Sequence, residues 1–128
     1  MFDNQKVEKF DEFVEQLSTE SHRAAVVLGA AKLDQTLYFI LLGYFLPTKN
    51  KDDELLEGDS PLSTFSARIN LCYRMGIIDN NFTNALHLIR KIRNDFAHEL
   101  DIRLDQPPNR DRVRELVKTV KDSQLFST

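Results

Sequence analysis

Four polar residues recur along one segment at spacings that place them on one side of a helix: His87, Arg90, Asn94 and His98. At about 100° per residue, the four side chains span an arc of about 80°. An imidazole that titrates near neutral pH can act as a general acid or base, and a guanidinium can hold a phosphate. This polar wall is therefore compatible with phosphate chemistry, and also with a solvated helix face that does no chemistry.

Two further charges fall among apolar neighbours, where an unpaired charge is costly. Asp34 shares one flank of a predicted helix with alanines and leucines, and Arg93 lies within about 20° of Phe82 inside another apolar stripe. Because a buried carboxylate needs a cation, we expect Asp34 to pair with Arg93 or Arg23. Such a pair would either fix the packing of two helices without chemistry or anchor the polar wall beside it.

The composition indicates one globular domain spanning residues 1–128, of which 41% are hydrophobic and 29% charged. Four glycines and four prolines are few for a turn-rich β fold. The single cysteine, Cys72, has no internal disulfide partner and is expected to be buried, and no Cys/His spacing is typical of zinc. We therefore expect no metal and no cofactor. The acidic and polar start predicts no signal peptide and a cytoplasmic protein.

Charge is distributed unevenly along the chain, whose formal net charge is −3. Residues 1–60 carry six basic and twelve acidic side chains, whereas residues 90–121 carry nine basic and six acidic ones. A domain that binds many DNA phosphates usually has a clear basic excess, and no helix-turn-helix signature with a basic recognition helix is present. The sequence thus predicts no direct, sequence-specific DNA binding.

Apolar residues recur at helical spacing in five segments and indicate an all-α, single-domain bundle of about five helices with a core over about 4–121. The first two predicted helices cover about 4–18 and 20–46; the third lies between Ser60-Pro61 and Gly76, the fourth carries the stripe from Phe82 to Phe96, and the last carries Val113 to Val120. Ser60 and Pro61 are a cap and first-turn signal, Gly76 is expected to end one helix and Asp79 to cap the next. The polar loop 47–59 is expected to turn Leu55 and Leu56 inward.

The stretch 37–46 contains no charge, yet it has only about half of the ~20 apolar residues that a membrane-spanning helix needs. Lys32 and Asp34 precede it directly. The pattern favours a buried core helix or the seam of a homodimer, and it argues against a membrane span.

Two resemblances to known families add to these patterns. Residues 93–98 read Arg-Asn-Asp-Phe-Ala-His, an Arg and a His separated by four residues near the end of a helix, which resembles the motif of the HEPN superfamily. A wider set of segments within residues 10–100 resembles the MltR family, the mannitol-operon repressor type. These segments are Glu20–Ala25, Ala30–Asp34, Pro61–Ile69, Tyr73–Ile78 and Ile89–Asn94.

The two resemblances imply the same helical fold and a homodimer but different functions. The MltR resemblance implies an operon regulator, and without a DNA reader such a regulator would act through a protein partner. The HEPN resemblance implies a metal-independent ribonuclease in which His98 moves a proton at the 2′-hydroxyl, Arg93 contacts the phosphate and Asn94 orients them; RNA is then the partner. A third interpretation is a ligand-binding or scaffold module with a structural polar wall. Whether the chain is an enzyme stays open among the three.

Helical geometry restricts the ribonuclease interpretation. On an ideal helix Arg93 and His98 are about 140° apart, so one straight helix cannot direct both at the same phosphate. Either the helix unwinds near Ala97, or a second subunit completes the site.

Overall fold

The computed structural model describes Lys9, residues 22–98 and residues 104–121. Within these residues the chain forms four helices: α1 (His22–Tyr44), α2 (Phe65–Arg74), α3 (Asn80–His98) and α4 (Asn109–Lys121). The described ranges contain no strand, so the predicted all-α class is confirmed. The helix predicted over about 4–18 lies outside the described residues except for Lys9, and a fifth helix therefore stays a prediction.

Helix α3 is the centre of the described bundle because it packs against each of the other three helices. Its apolar stripe supplies this contact surface, and it buries Ala85, Leu86, Ile92 and Phe96. Helix α1 also packs on α2, whereas α1 and α4 flank α3 without packing on each other. The divergence of α1 and α4 leaves an open cleft over α3.

The hydrophobic core lies between α1, α2 and α3 and includes one residue from the loop that connects α1 to α2. Its fully buried members are Ala30, Leu37, Leu41, Leu56, Phe65, Ile69, Cys72 and Leu86. The loop residue, Leu56, is held by the Asp53 carboxylate, which accepts hydrogen bonds from the backbone N–H groups of Leu55 (2.8 Å) and Leu56 (3.1 Å). The inward turn of the loop is thus confirmed for Leu56, whereas Leu55 stays 40% exposed.

Capping residues define where α2 and α3 begin. Helix α2 begins at Phe65, later than the signal at Ser60 and Pro61 predicts, because the Thr64 hydroxyl accepts a hydrogen bond from the Ala67 N–H at 3.1 Å. Gly76, with φ 73°, follows the end of α2 in the left-handed conformation, as expected.

Asp79 caps α3 as predicted, since its carboxylate accepts a hydrogen bond from the Phe82 N–H at 2.7 Å.

Apolar residues lie on all sides of helix α1, beside a few polar ones, yet only three of its 23 residues, Ala30, Leu37 and Leu41, are buried. By length and composition alone it is also the one helix among the described residues that is long and apolar enough to cross a membrane. A helix that is apolar all round is normally buried all round. Within the described ranges, the packing of α1 on α2 and α3 therefore leaves part of its apolar surface uncovered.

Candidate functional site

The Asp34 carboxylate is paired, as a charge on an apolar helix requires, but with a cation that the sequence patterns did not single out. Arg68 of α2 donates from Nη1 to Asp34 Oδ1 at 2.9 Å, and the two side chains are only 12% and 24% exposed. The predicted partners, Arg93 and Arg23, are therefore corrected to Arg68. Arg23 lies eleven residues from Asp34 on the same helix, a rise of about 16 Å, and cannot reach it.

Arg68 uses every part of its guanidinium and joins three segments of the chain. Besides the Asp34 bond, Nη2 donates to the Leu56 carbonyl and Nε donates to the Leu62 carbonyl, both at 2.8 Å. The guanidinium also stacks over the Tyr38 ring, with Cζ 5.2 Å from the ring centroid. Helix α1, the connecting loop and α2 thus meet at one cation, each of whose three nitrogens donates a hydrogen bond, and this arrangement is structural.

Arg93, in contrast, is held without a carboxylate among the described residues. Its Nη2 donates to Asn94 Oδ1 at 3.0 Å, and its guanidinium lies over the Phe65 ring, with Cζ 5.4 Å from the centroid. The expected tie to Asp34 is absent because Arg93 lies on the side of α3 that faces α2. A half-buried guanidinium fixed by an amide and an aromatic ring keeps donors for an anion.

Arg23, the other predicted partner of Asp34, instead joins α1 to the C-terminal half of α3. Its Nη1 donates to the carbonyl oxygen of Phe96, and its guanidinium lies over the Phe96 ring at 5.7 Å from the centroid. Phe96 itself is 1% exposed. Arg23 thus holds the N-terminal end of α1 against the end of α3 that carries the Arg-x4-His motif.

The geometry of Arg93 and His98 follows from the continuity of α3. The helix runs unbroken through Ala97 to His98. The unwinding near Ala97 that could have brought Arg93 and His98 to one phosphate therefore does not occur. The two side chains accordingly stay on different sides of α3, about 140° apart. His98 is exposed, and Arg93 is half-buried. Within one copy of the chain, these residues do not form a single site.

The polar wall separates into two hydrogen-bonded groups. Arg90 Nε donates to His87 Nδ1 at 3.2 Å, and the other ring nitrogen, Nε2, lies 2.9 Å from Asn70 Oδ1 on α2. Because arginine can only donate, Nδ1 accepts and Nε2 donates, which assigns the neutral Nε2–H tautomer to His87. Asn94 belongs to the second group, with Arg93. The structure therefore does not bring His87, Asn94 and His98 together.

The environment of His87 disfavours its charged form. Burial lowers the pKa of His87, and the nearby charges of Arg90 and Lys91 lower it further. A histidine with both ring nitrogens occupied and a depressed pKa is suited to joining α2 and α3, and it is poorly suited to accepting a proton from a substrate.

The sign of this shift gives a pH prediction. Since the unfolded chain binds the His87 proton more readily, its contribution to stability is complete above about pH 6.5 and is lost as the pH falls toward the folded-state pKa. NMR titration of the His87 ring proton should give a midpoint below that of an unfolded peptide. In Arg90→Met the midpoint should rise but stay below the peptide value, because burial remains. A midpoint unchanged by Arg90→Met would contradict this assignment.

Three contacts that the sequence patterns missed bind neighbouring helices together. They are Arg68 with Asp34, His87 with Asn70, and the ion pair of Arg112 with Asp95 between α4 and α3. Arg68 lies about 60° from Phe65 on α2, at the edge of the apolar stripe and not inside it. The criterion that selected Arg93, a charge inside the stripe, therefore passes over Arg68. Asn70 and Asp95 lie on polar faces and carry no such signal.

Metal and thiol chemistry find little support in the described ranges. No group of three His, Cys, Asp or Glu side chains there could hold a metal ion. Cys72 is fully buried in the core, and this burial raises the pKa of its thiol, which makes it a poor nucleophile.

Comparison of the chain with protein-family models, with curated proteins and with solved structures gives no match in any of the three. The resemblances to the MltR and HEPN families therefore rest on the sequence segments and motif alone.

Proposed function

We propose that this chain is an MltR-like operon regulatory protein that acts in the cytoplasm through contacts with proteins, including a second copy of itself. The observation that carries the proposal is a set of large apolar side chains exposed around the C-terminal end of α1, here called the α1 exit patch. Phe39 (57% exposed) and Leu42 (39%) lie about 60° apart on one side of the helix, Tyr44 (62%) lies on another side, and Leu46 (92%) follows the helix. Exposed apolar patches of this kind mark surfaces that a partner covers.

The composition of the α1 exit patch favours a protein partner over a lipid one. Two of its four members are aromatic, and aromatic side chains are enriched at the centres of protein interfaces. Helix α1 also carries Lys32, Gln35 and the Asp34–Arg68 ion pair, which a membrane-spanning helix would have to bury in hydrocarbon at considerable cost. These features support a helix that packs on α2 and α3 within the chain and on a protein partner at the α1 exit patch.

The charge distribution supports action through a protein partner instead of direct reading of DNA. The formal net charge is −3, and the first turn of α3, at 80–84, is polar but carries no basic residue. A recognition helix needs a basic surface to stay on the phosphate backbone. Operon control by this chain would therefore pass through another protein.

Serine substitutions in the α1 exit patch test the proposal. In Phe39→Ser/Leu42→Ser we expect at least about a 30-fold loss of affinity for the partner or the second copy, because two interface anchors are removed. Sedimentation velocity measures self-association, and quantitative mass spectrometry of tagged-chain pull-downs measures partner recovery. Val117→Ser, which alters an equally exposed apolar residue on α4, is the control and should associate like the wild type. Equal association in both variants would contradict the proposal, and so would tight operator binding by the purified wild type alone.

A second candidate function is that of a HEPN-type, metal-independent ribonuclease acting as a dimer. The guanidinium of Arg93, positioned by Asn94 and Phe65 with no carboxylate of the described residues beside it, favours it. Such a group can contact a phosphate, while the exposed His98 would transfer a proton to or from the 2′-hydroxyl. Because α3 is unbroken, Arg93 of one copy would have to act with His98 of the other.

Subunit complementation tests the composite site. Labelled RNA is incubated without metal with wild type, Arg93→Ala, His98→Ala and an equilibrated mixture of the two variants. The ribonuclease candidate predicts that each variant is inactive and that the mixture recovers about a quarter of wild-type activity, since half of the dimers are mixed and each has one intact site. Cleavage that persists in both single variants would come from a contaminant and would eliminate this candidate.

A further inference from the structure

Exposed carboxylates lie in the loop that follows the α1 exit patch. This loop, at 47–59, carries five acidic and two basic side chains and therefore a formal charge of −3. Its fifth acidic residue, Asp53, is buried and bonds to the loop backbone. The other four are exposed and are here called the acidic rim: Asp52, Glu54, Glu57 and Asp59. The loop thus presents negative charge to solvent.

Glu57 of the acidic rim lies beside the apolar side chains of the α1 exit patch. The Tyr38 hydroxyl donates a hydrogen bond to Glu57 Oε1 at 2.8 Å, and the Tyr38 ring meets the Phe39 ring edge-on, with the centroids 5.3 Å apart. Leu42 follows Tyr38 by one helical turn, at an angle of about 40°. Only the Tyr38 side chain therefore separates the Glu57 carboxylate from the two apolar residues.

Glu54 lies near the other end of the patch, where the chain leaves α1. Its Oε2 accepts hydrogen bonds from Thr48 Oγ1 and from Asn50 Nδ2, the second at 3.2 Å. Thr48 is two residues beyond Leu46 of the patch. The hydrogen bond from Thr48 is the main cause that lowers the pKa of Glu54, so this carboxyl group is ionised at neutral pH. A partner that covers the patch thus meets two carboxylates held in fixed positions.

The charge of the acidic rim selects among possible partners. The phosphates of nucleic acids and the headgroups of anionic lipids carry the same sign and would be repelled, whereas a basic protein segment would be attracted. Helix α4 of a second copy is basic, with five basic and two acidic residues. However, its Val113 and Leu116 line the cleft beside α1 and α3 of their own chain. Helix α4 would have to leave its own bundle to cover the patch with these side chains.

We infer that the α1 exit patch binds a basic amphipathic segment of another protein. The apolar side chains of this segment cover Phe39 and Leu42, and its Lys or Arg side chains pair with Glu54 and Glu57. An apolar centre with a charged rim is the usual arrangement of a protein interface, in which the rim charges select and orient the partner. The inference rests on the protein-binding function proposed for the patch and adds the charge of the partner.

Two matched peptides test the charge of the partner. One is a helix of about four turns with leucines on one face and lysines on the other, and the second has glutamate in place of every lysine. In calorimetric titrations of the full chain, the lysine peptide should bind at least about 30-fold tighter, because like charges across an interface repel each other. Its affinity should fall as NaCl is raised. In ¹H–¹⁵N NMR spectra, its shifts should centre on Phe39, Leu42 and the loop 47–59.

Two matched variants test the location. Glu54→Gln/Glu57→Gln removes two charges but keeps oxygen acceptors for Thr48 and Tyr38, and it should weaken binding of the lysine peptide by about three- to ten-fold. Asp111→Asn/Glu115→Gln removes two exposed carboxylates of α4 and is the control, in which the affinity should change by less than about two-fold. An equal loss in both variants would overturn the inference.

The remaining outcomes separate this inference from the proposed function. If the glutamate peptide bound as tightly as the lysine peptide and both lost affinity in Phe39→Ser/Leu42→Ser, the patch would bind protein but the inferred charge would be wrong. Binding of neither peptide, or binding unchanged in Phe39→Ser/Leu42→Ser, would count against both. If the wild type dimerised at the patch and the lysine peptide did not displace the second copy, the occupant would be that copy, and the inference would be wrong.

Discussion

Arg68→Met is expected to lower the free energy of unfolding by about 3 kcal/mol. Removal of the guanidinium leaves the Asp34 carboxylate without its cation and the Leu56 and Leu62 carbonyls without their donor, in a region where water reaches only a small part of them. Breaking a buried ion pair by removing one partner typically costs 3–5 kcal/mol. The value at the lower end reflects the partial exposure of Asp34, which is 24%.

Urea unfolding followed by circular dichroism measures this loss, and Arg74→Met is the matched control. Arg74 is exposed on the same helix, so its substitution should change the free energy of unfolding by less than about 0.5 kcal/mol. In the double variant Asp34→Leu/Arg68→Met, the loss should be smaller than the sum of the two single losses, since the two charges interact directly. Equal effects of Arg68→Met and Arg74→Met would show that Arg68 does not join the three segments.

Phe96→Ala is expected to cost about 4 kcal/mol, the largest single effect in the Arg-x4-His segment. The ring is 1% exposed and lies under the Arg23 guanidinium, so truncation leaves a cavity and removes the ring contact. The substitution removes the contact of the Phe96 ring with Arg23, which holds α3 against α1. Any function of the Arg-x4-His segment would therefore fall because the fold is less stable.

His98→Ala should behave in the opposite way. His98 is exposed and is the last described residue of α3. Because its side chain is in solvent, His98→Ala should change the free energy of unfolding by less than about 0.5 kcal/mol. Parallel thermal melts of Phe96→Ala and His98→Ala check the contrast. A large loss in His98→Ala would mean that His98 is a packing residue, and a loss of RNA cleavage in that variant would then not report on proton transfer.

The sequence predicted the helices well because each apolar stripe and cap is a local property. The stripe that ends at Phe96 and the cap at Asp79 were both read from neighbouring residues, and the structure confirms both. The start of α2 was misplaced because only Ser60 and Pro61 were considered as its capping signal, whereas the Thr64 hydroxyl caps the helix.

The candidate site was less predictable because the angle of a residue on its own helix does not tell which neighbour it faces. The projection correctly placed Arg93 near the apolar stripe, and it also gave the 140° separation from His98. It could not show that Phe65 and Asn94, instead of Asp34, would hold the guanidinium. The tautomer of His87 was equally inaccessible, since it depends on Asn70 of another helix.

Contact between the α1 exit patch and another protein can be tested most directly by photo-crosslinking in living cells. p-Benzoylphenylalanine replaces Phe39, which is 57% exposed, and in a parallel strain it replaces Tyr73, an exposed aromatic residue on α2. We expect illumination to join position 39 to protein, as an adduct of twice the chain mass or one with a single regulatory partner, and to leave position 73 unlinked. No protein adduct at position 39, or adducts with lipid only, would contradict a function that depends on protein contacts at α1.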